Sequence, residues 1–191
     1  MSSSKLKFKA QKIYIMMNKP CGYVCSAVSD SHKTVYELLP GPLQSLAQNA
    51  KRGHRLHTVG RLDCDTSGLL LFTTDGDFSD YLTRPQNKIE KTYEVTLKNP
   101  VDQAIQNDYI ERAAQGLVLP PDKKAPEQKS SGAKLEFLSP ELCHITVHEG
   151  KFHEVRRIFT ALGNEVKELK RLSMGPFELP EELAPGQYRA L

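Results

Sequence analysis

A chain of 191 residues with 39% hydrophobic and 26% charged positions has room for one medium domain or two small lobes, and its composition excludes collagen-like, disordered and disulfide-scaffold proteins. Apolar runs such as Leu69–Phe72 are far shorter than the roughly 20 residues of a membrane span, and the Ser- and Lys-rich start lacks a signal-peptide core. The net charge is only +3, so a polyanion-binding face must come from local clustering.

In chain order, residues 1–11 read as a flexible basic arm and 12–191 as the folded domain. Ile13–Met17 reads as a buried strand, stopped by Asn18-Lys19-Pro20 and resumed over 22–26. Thr34–Leu39 is a short helix or turn before Pro40-Gly41-Pro42, and 44–53 is loop or weak helix. Leu69-Leu70-Leu71-Phe72, between Gly68 and Asp75-Gly76, has the unbroken apolar character of a strand buried on both faces. A short helix follows over 77–84 and an alternating strand over 91–97. Val101, Ile105, Tyr109 and Ala113 recur at helical spacing, with Gly116 as the stop. Pro120–Gly132, rich in Pro, Lys and Ser, reads as a mobile connection. Strands over 133–138 and 142–148, a helix over 151–162 and closing strands over 165–174 and 175–179 follow. Strands outnumber helices. The expected class is α+β, a largely antiparallel central sheet flanked by short helices and loops, with room for a division into two lobes near residue 100.

Charge is distributed unevenly. Residues 1–20 carry five Lys and no acid, and 51–61 carry Lys51, Arg52, Arg55 and Arg61 with two His and no acid. Acids collect over 99–122 and 172–191. Such segregation points to a polyanion partner. The four cysteines, Cys21, Cys25, Cys64 and Cys143, read as free thiols of a cytoplasmic protein.

Several motifs fail on chemistry. His153-Glu154-Val155-Arg156-Arg157 begins like a zinc-protease helix, but Arg157 stands where the second His must be, and an arginine cannot ligate zinc. Pro20-Cys21 with Cys25 is one residue too long for the zinc-deaminase spacing. A four-ligand site from Cys21, Cys25, Cys143 and His144 stays open as a minor alternative, a metalloenzyme. No phosphate loop, dinucleotide fingerprint or nucleophile elbow is present, so no cofactor and no metal are expected. What remains is Gly60-Arg61-Leu62-Asp63-Cys64-Asp65-Thr66-Ser67-Gly68, a small glycine-bounded loop carrying two acids and an arginine straight into the buried strand. A rigid strand end with a short exposed loop suits a reacting carboxylate, and equally a turn whose side chains satisfy local amides.

The segment Gly60–Thr73 resembles the signature of the RsuA-like branch of the pseudouridine synthases. Asn18-Lys19-Pro20-Cys21-Gly22-Tyr23-Val24, Glu90–Val95, Glu149–Phe159, Leu169-Lys170-Arg171 through Gly175, and Leu183–Arg189 resemble further motifs of that branch, in its order. The similarity spans about residues 13–191. It implies a pseudouridine-synthase-type catalytic domain that isomerises uridine to pseudouridine in ribosomal RNA, most closely 16S and alternatively 23S. An inactive RNA-binding paralogue is the reading from another class. The resemblance also implies that Asp63 is the essential acid, that Tyr93 stacks on the target base, and that Arg156 is the partner of Asp63. It shows two departures: Glu154 where the branch usually has Gln, adding a negative charge near RNA, and no S4 RNA-binding module ahead of the domain.

The residues support parts of this independently. The reaction exchanges no electrons and gains no atoms, in keeping with the missing cofactor motifs. On a helix over 152–162, Phe152, Val155, Ile158, Phe159 and Leu162 form one apolar stripe. Arg156 lies at its edge, able to reach inward and hold a carboxylate ionised, while Arg157 points nearly opposite, to solvent or phosphate. His153 reads as a solvated side chain. Lys19, Arg52, Arg55, Arg61 and Arg157 are the expected phosphate contacts. The expected partner is ribosomal RNA within a partly assembled subunit, with no membrane, and the protein acting as a monomer.

Overall fold

The computed structural model describes residues 11–51 and 53–191; the rest of the expected arm and Arg52 lie outside the described residues. The strands are β1 Tyr14–Lys19, β2 Tyr23–Val24, β3 Lys33–Thr34, β4 His57–Thr58, β5 Thr66–Thr73, β6 Lys91–Leu97, β7 Val118–Leu119, β8 Gln128–Lys129, β9 Lys134–Phe137, β10 Leu142–Val147, β11 Val166–Met174, β12 Phe177–Glu178 and β13 Tyr188–Ala190. The helices are α1 Gly41–Gln48, α2 Gly76–Thr83, α3 Gln103–Gln115 and α4 Glu154–Leu162, and a 3₁₀ turn covers Val35–Leu38. Nine strands share one sheet, in the order β13-β1-β5-β11-β6-β10-β9, with β4 on β5 and β12 on β11. Of its pairs only β5 with β11 is parallel. The architecture is the expected α+β fold with a largely antiparallel sheet.

The unbroken apolar run of β5 has the cause its sequence suggests. Leu70 and Phe72 enter one core cluster with Ile15, Met17, Tyr36 and Leu56. Leu69 and Leu71 enter another, across the sheet, with Met16, Leu82 and Met174. A third cluster packs α3 and α4 through Tyr109, Ile158 and Phe159 against Val95, Leu97 and Ile145, and Tyr93 touches both this cluster and the first.

Element ends differ from expectation for local reasons. β1 runs on through Asn18 and Lys19, both buried, because their side chains find carbonyls inside the fold. α1 begins at Gly41, with Pro42 in its first turn where a missing N–H is harmless. α3 begins at Gln103, since Asp102 caps it by accepting from the Ile105 amide at 3.0 Å. The Pro120–Gly132 segment is a built structure. β7 pairs with β8, Asp122 and Ala125 exchange backbone hydrogen bonds of 2.9 and 2.8 Å, and the Ser130 hydroxyl accepts from the Leu117 amide. Pro and Lys content alone overstated its freedom. Among the described residues, no helix is long and apolar enough to cross a membrane.

One glycine is indispensable to this layout. Gly68 sits at φ +99°, and a Cβ there would lie 2.2 Å from the Arg171 carbonyl oxygen of the parallel neighbour β11. Gly68→Ala should therefore destabilise the protein by about 3 kcal/mol or more, since left-handed strain and overpacking combine. Urea unfolding checks this; a loss within ordinary surface-mutation scatter would show that β11 can retreat from β5.

Candidate active site

The loop that ends at β5 is held from beneath by a buried cation. Lys19 is 0% exposed. Its ammonium donates to the carbonyls of Thr66 (2.7 Å), Asp63 (3.0 Å), Pro20 (3.1 Å) and Cys64 (3.4 Å). Burial pushes its pKa down. Cys25 adds a second clamp: its thiol lies 3.4 Å from both the amide and the carbonyl of Leu62. The turn closes on itself where the Thr66 amide donates to the Asp63 carbonyl at 3.1 Å. The Asp63 backbone is thus fixed while its carboxylate stays 40% exposed.

That carboxylate faces a cavity of about 530 Å³ over the central strands, which Tyr93 from β6, Arg171 from β11 and Arg156 from α4 also line. The size falls within the roughly 300–1,000 Å³ of small-ligand sites, enough for one nucleotide and not for a stacked helix. Asp63, Tyr93 and Arg156 are brought together. The partner of Arg156 differs from expectation: its guanidinium pairs with the Asp65 carboxylate at 2.9 Å and reaches the carbonyls of Asp65 (3.3 Å) and Val166 (3.2 Å). Arg156 therefore ties the loop to α4 through Asp65, and to β11 through the Val166 carbonyl. Among the described residues the Asp63 carboxylate's ion-pair partner is His153, whose Nε2 lies 3.6 Å from its Oδ1.

Two expected phosphate contacts are corrected. Lys19 is an internal staple, as above. Arg157 is 3% exposed and donates to the carbonyls of Pro126 (2.7 Å), Pro120 (2.8 Å), Phe152 (3.3 Å) and Leu119 (3.4 Å). A helical wheel assumes one buried face, but α4 is covered on a second side by β7 and the segment after it, so the far side is interior too. Arg55 and Arg61 are exposed as expected, Arg61 at the cavity mouth. Exposed Lys124 joins it there.

Glu154 also departs from expectation. It is 6% exposed and faces the cavity wall, away from open solvent. Burial, and then the neighbouring Glu149, push its carboxyl up to about 7. Below neutrality it carries a proton, and so resembles the amide of a glutamine more than an added charge. The cysteines do not converge: Cys25 lies in the cluster with Met17 and Leu70, and Cys143 in the cluster around α3 and α4. Burial raises the Cys143 thiol to about 12. Among the described residues no three His, Cys, Asp or Glu side chains form a metal-holding group.

Comparison with known proteins accords with this arrangement. A family model described as RNA pseudouridylate synthase matches residues 13–161. Proteins named ribosomal small subunit pseudouridine synthase A are 42% identical in Escherichia coli K12 and 40% identical in Yersinia pestis. Each match covers 178 residues, 93% of this chain and 70% or 68% of the relative. A crystal structure of a pseudouridylate synthase superposes with a TM-score of 0.82 at 39% identity, over 96% of this chain and 72% of that one. A chain of the archaeal box H/ACA Nop10–Cbf5 complex shares the fold at 19% identity, with a TM-score of 0.56 over 91% of this chain and 51% of that one.

Two stability predictions follow from the buried charges. Arg157→Ala strands four backbone carbonyls and should cost about 3–5 kcal/mol in urea unfolding, while changing the salt dependence of RNA binding little. A stable variant with one phosphate contact fewer would return Arg157 to the surface. For Glu154, the folded protein holds the proton more tightly than the unfolded chain. The associated stability is full below the ordinary value of 4.5 and is lost as pH rises through about 7. Glu154→Gln removes this dependence. Its advantage over the natural residue should grow by roughly 2–3 kcal/mol between pH 4.5 and 8. A constant difference across that range would count against the buried proton.

Proposed function

Since the chain belongs to the RNA pseudouridylate synthase family, we propose that it converts one uridine of small-subunit (16S) ribosomal RNA to pseudouridine, with Asp63 as the reacting acid. The observation that carries this is the convergence of Asp63, Tyr93 and Arg156 on one nucleotide-sized cavity.

The reaction breaks the C1′–N1 bond, turns the base and joins C5 to C1′. The proton lost from C5 is matched by the one gained at N1. The Asp63 carboxylate serves it in either of two ways, by attacking C1′ as the C1′–N1 bond breaks and leaving when C5 joins C1′, as in retaining glycosidases, or by removing the C2′ proton and returning it as C5 joins C1′. Tyr93, half-buried between two core clusters, offers a fixed aromatic face to the extruded base. Arg156 fixes the Asp65 end of the loop. Arg55, Arg61 and Lys124 hold phosphates, with Arg52 as a further contact from sequence. They position the RNA without reading it. The few cations at the cavity mouth favour a target presented by its surroundings. We place the enzyme in the cytoplasm, as a monomer, acting on a partly assembled subunit, without a cofactor.

The test is pseudouridine mapping on small-subunit RNA, naked and partly assembled, with natural enzyme and two variants. Asp63→Asn should lower turnover by more than about 10³-fold with RNA affinity within twofold. Asp65→Asn should cost about tenfold or less, because its pair is exposed and Arg156 keeps two carbonyl partners. The partly assembled particle should be the better substrate. Comparable turnover by Asp63→Asn would remove the assignment.

A further inference from the structure

The segment between β7 and β8 reaches the reacting carboxylate through one imidazole. Asp122 Oδ2 lies 2.7 Å from His153 Nδ1, while Nε2 of the same ring lies 3.6 Å from Asp63 Oδ1. Each end of this bridge is built. The Asp122 carboxyl is held below its ordinary range, first by the His153 contact and then by the Lys123 amide, so it is ionised and can only accept. A 2.7 Å contact with an acceptor requires a proton on Nδ1. That leaves Nε2 as the atom presented to Asp63, and in the doubly protonated ring it is an N–H donor aimed at the carboxylate. The ring plane is set by stacking on Phe152, with centroids 3.8 Å apart at 22°.

The backbone of His153 is also unusual. It sits at φ 48°, ψ 34°, one of two described non-glycine residues in the left-handed region, and it precedes α4 without accepting a side-chain cap hydrogen bond. A non-glycine residue in that conformation persists only where its surroundings hold it, and such sites cluster at function. Here the surroundings are the β7–β8 segment, pinned to α4 by three Arg157 bonds to the carbonyls of Leu119, Pro120 and Pro126, while a fourth holds the Phe152 carbonyl next to His153. A chain of contacts therefore runs from buried Arg157, through the segment, to Asp122, His153 and Asp63.

We propose that His153 and Asp122 are positioning residues: Asp122 fixes the imidazole, and the imidazole sets the orientation of the Asp63 carboxylate toward the ribose. The proposal rests on Asp63 being the reacting acid. It gives the β7–β8 segment a part in catalysis, 59 residues along the chain from Asp63 at its Asp122 position.

The experiment is steady-state kinetics on small-subunit RNA for Asp122→Ala, Asp122→Asn, His153→Ala, and the double Ala variant, beside Asp63→Asn. Asp122→Ala and His153→Ala should each lower kcat about ten- to a hundredfold, the usual effect of a misplaced group, with KM within about threefold. The double variant should be no slower than His153→Ala, because Asp122 acts through the ring. Asp122→Asn, whose amide oxygen still accepts from Nδ1–H, should recover most of the loss. Natural kcat in a folded Asp122→Ala, a change confined to KM, or additive losses in the double variant would each overturn the proposal. Should the Ala variants not fold, nitrogen NMR of the natural enzyme decides. The His153 ring must show a protonated Nδ1, and its Nε2 signal must move in Asp63→Asn; an unmoved signal refutes the contact. An active Asp63→Asn enzyme would instead overturn the underlying assignment, whatever the Asp122 variants do.

Discussion

The Lys19 ammonium, fully buried and bonded to the Pro20 carbonyl and to three carbonyls of the loop beside it, is the constraint on which the site depends. A buried charge is costly unless its hydrogens are used, and a loop turning sharply out of a sheet leaves carbonyls without strand partners. Each problem answers the other. Because two of the four carbonyls belong to Asp63 and Cys64, the same bonds that keep the ammonium inside also keep the Asp63 backbone in place. Hydrogen bonds to a charged group contribute roughly 1.5–3 kcal/mol each, so the loop is fixed far more firmly than a turn of its composition would be alone.

Arg157 and Arg171 repeat the device. Arg157 binds the carbonyls of the β7–β8 segment, and Arg171 donates from Nε to the Leu69 carbonyl at 2.8 Å. In each case a cation joins segments distant in sequence by way of backbone oxygens. Carboxylates near the cavity are thereby left to other partners: Asp65 to Arg156, Asp122 to His153. With the internal cations placed on carbonyls, the Asp63 carboxylate has no tight lysine or arginine ion pair among the described residues.

The strands were legible wherever hydrophobic pattern alone decides burial. Leu69–Phe72 could only be a two-sided strand, and it is one; Lys91–Leu97 has the expected bounds. That Asp63, Tyr93 and Arg156 belong together was suggested by their resemblance to a known branch, and all three line one cavity. Long-range polar pairing was not. Nothing near Lys19 or Arg157 in the sequence announces carbonyls many residues away, and exposure is the better guess for such side chains. His153 offered only its nearness in sequence to Arg156, and its left-handed backbone just before α4 is not a feature that spacing announces. Asp122, which gives that histidine its direction, lies 31 residues earlier in a segment whose composition suggested mobility.

Moving Lys19 and Arg157 inside changes what the surface can do. Exposed Arg61 and Lys124 line the cavity and are free to meet phosphates, and each phosphate contact adds about one to the log–log salt slope. A cavity of about 530 Å³ accepts one unstacked nucleotide, so the cost of extrusion, a few kcal/mol, must be met by the RNA's own shape or by its neighbours. Small net charge, inward-facing basic residues and a single-nucleotide cavity are therefore one design. On the proposed function, such a cavity suits a uridine that has already left its helix, and the internal cations hold the Asp63 loop that would meet it.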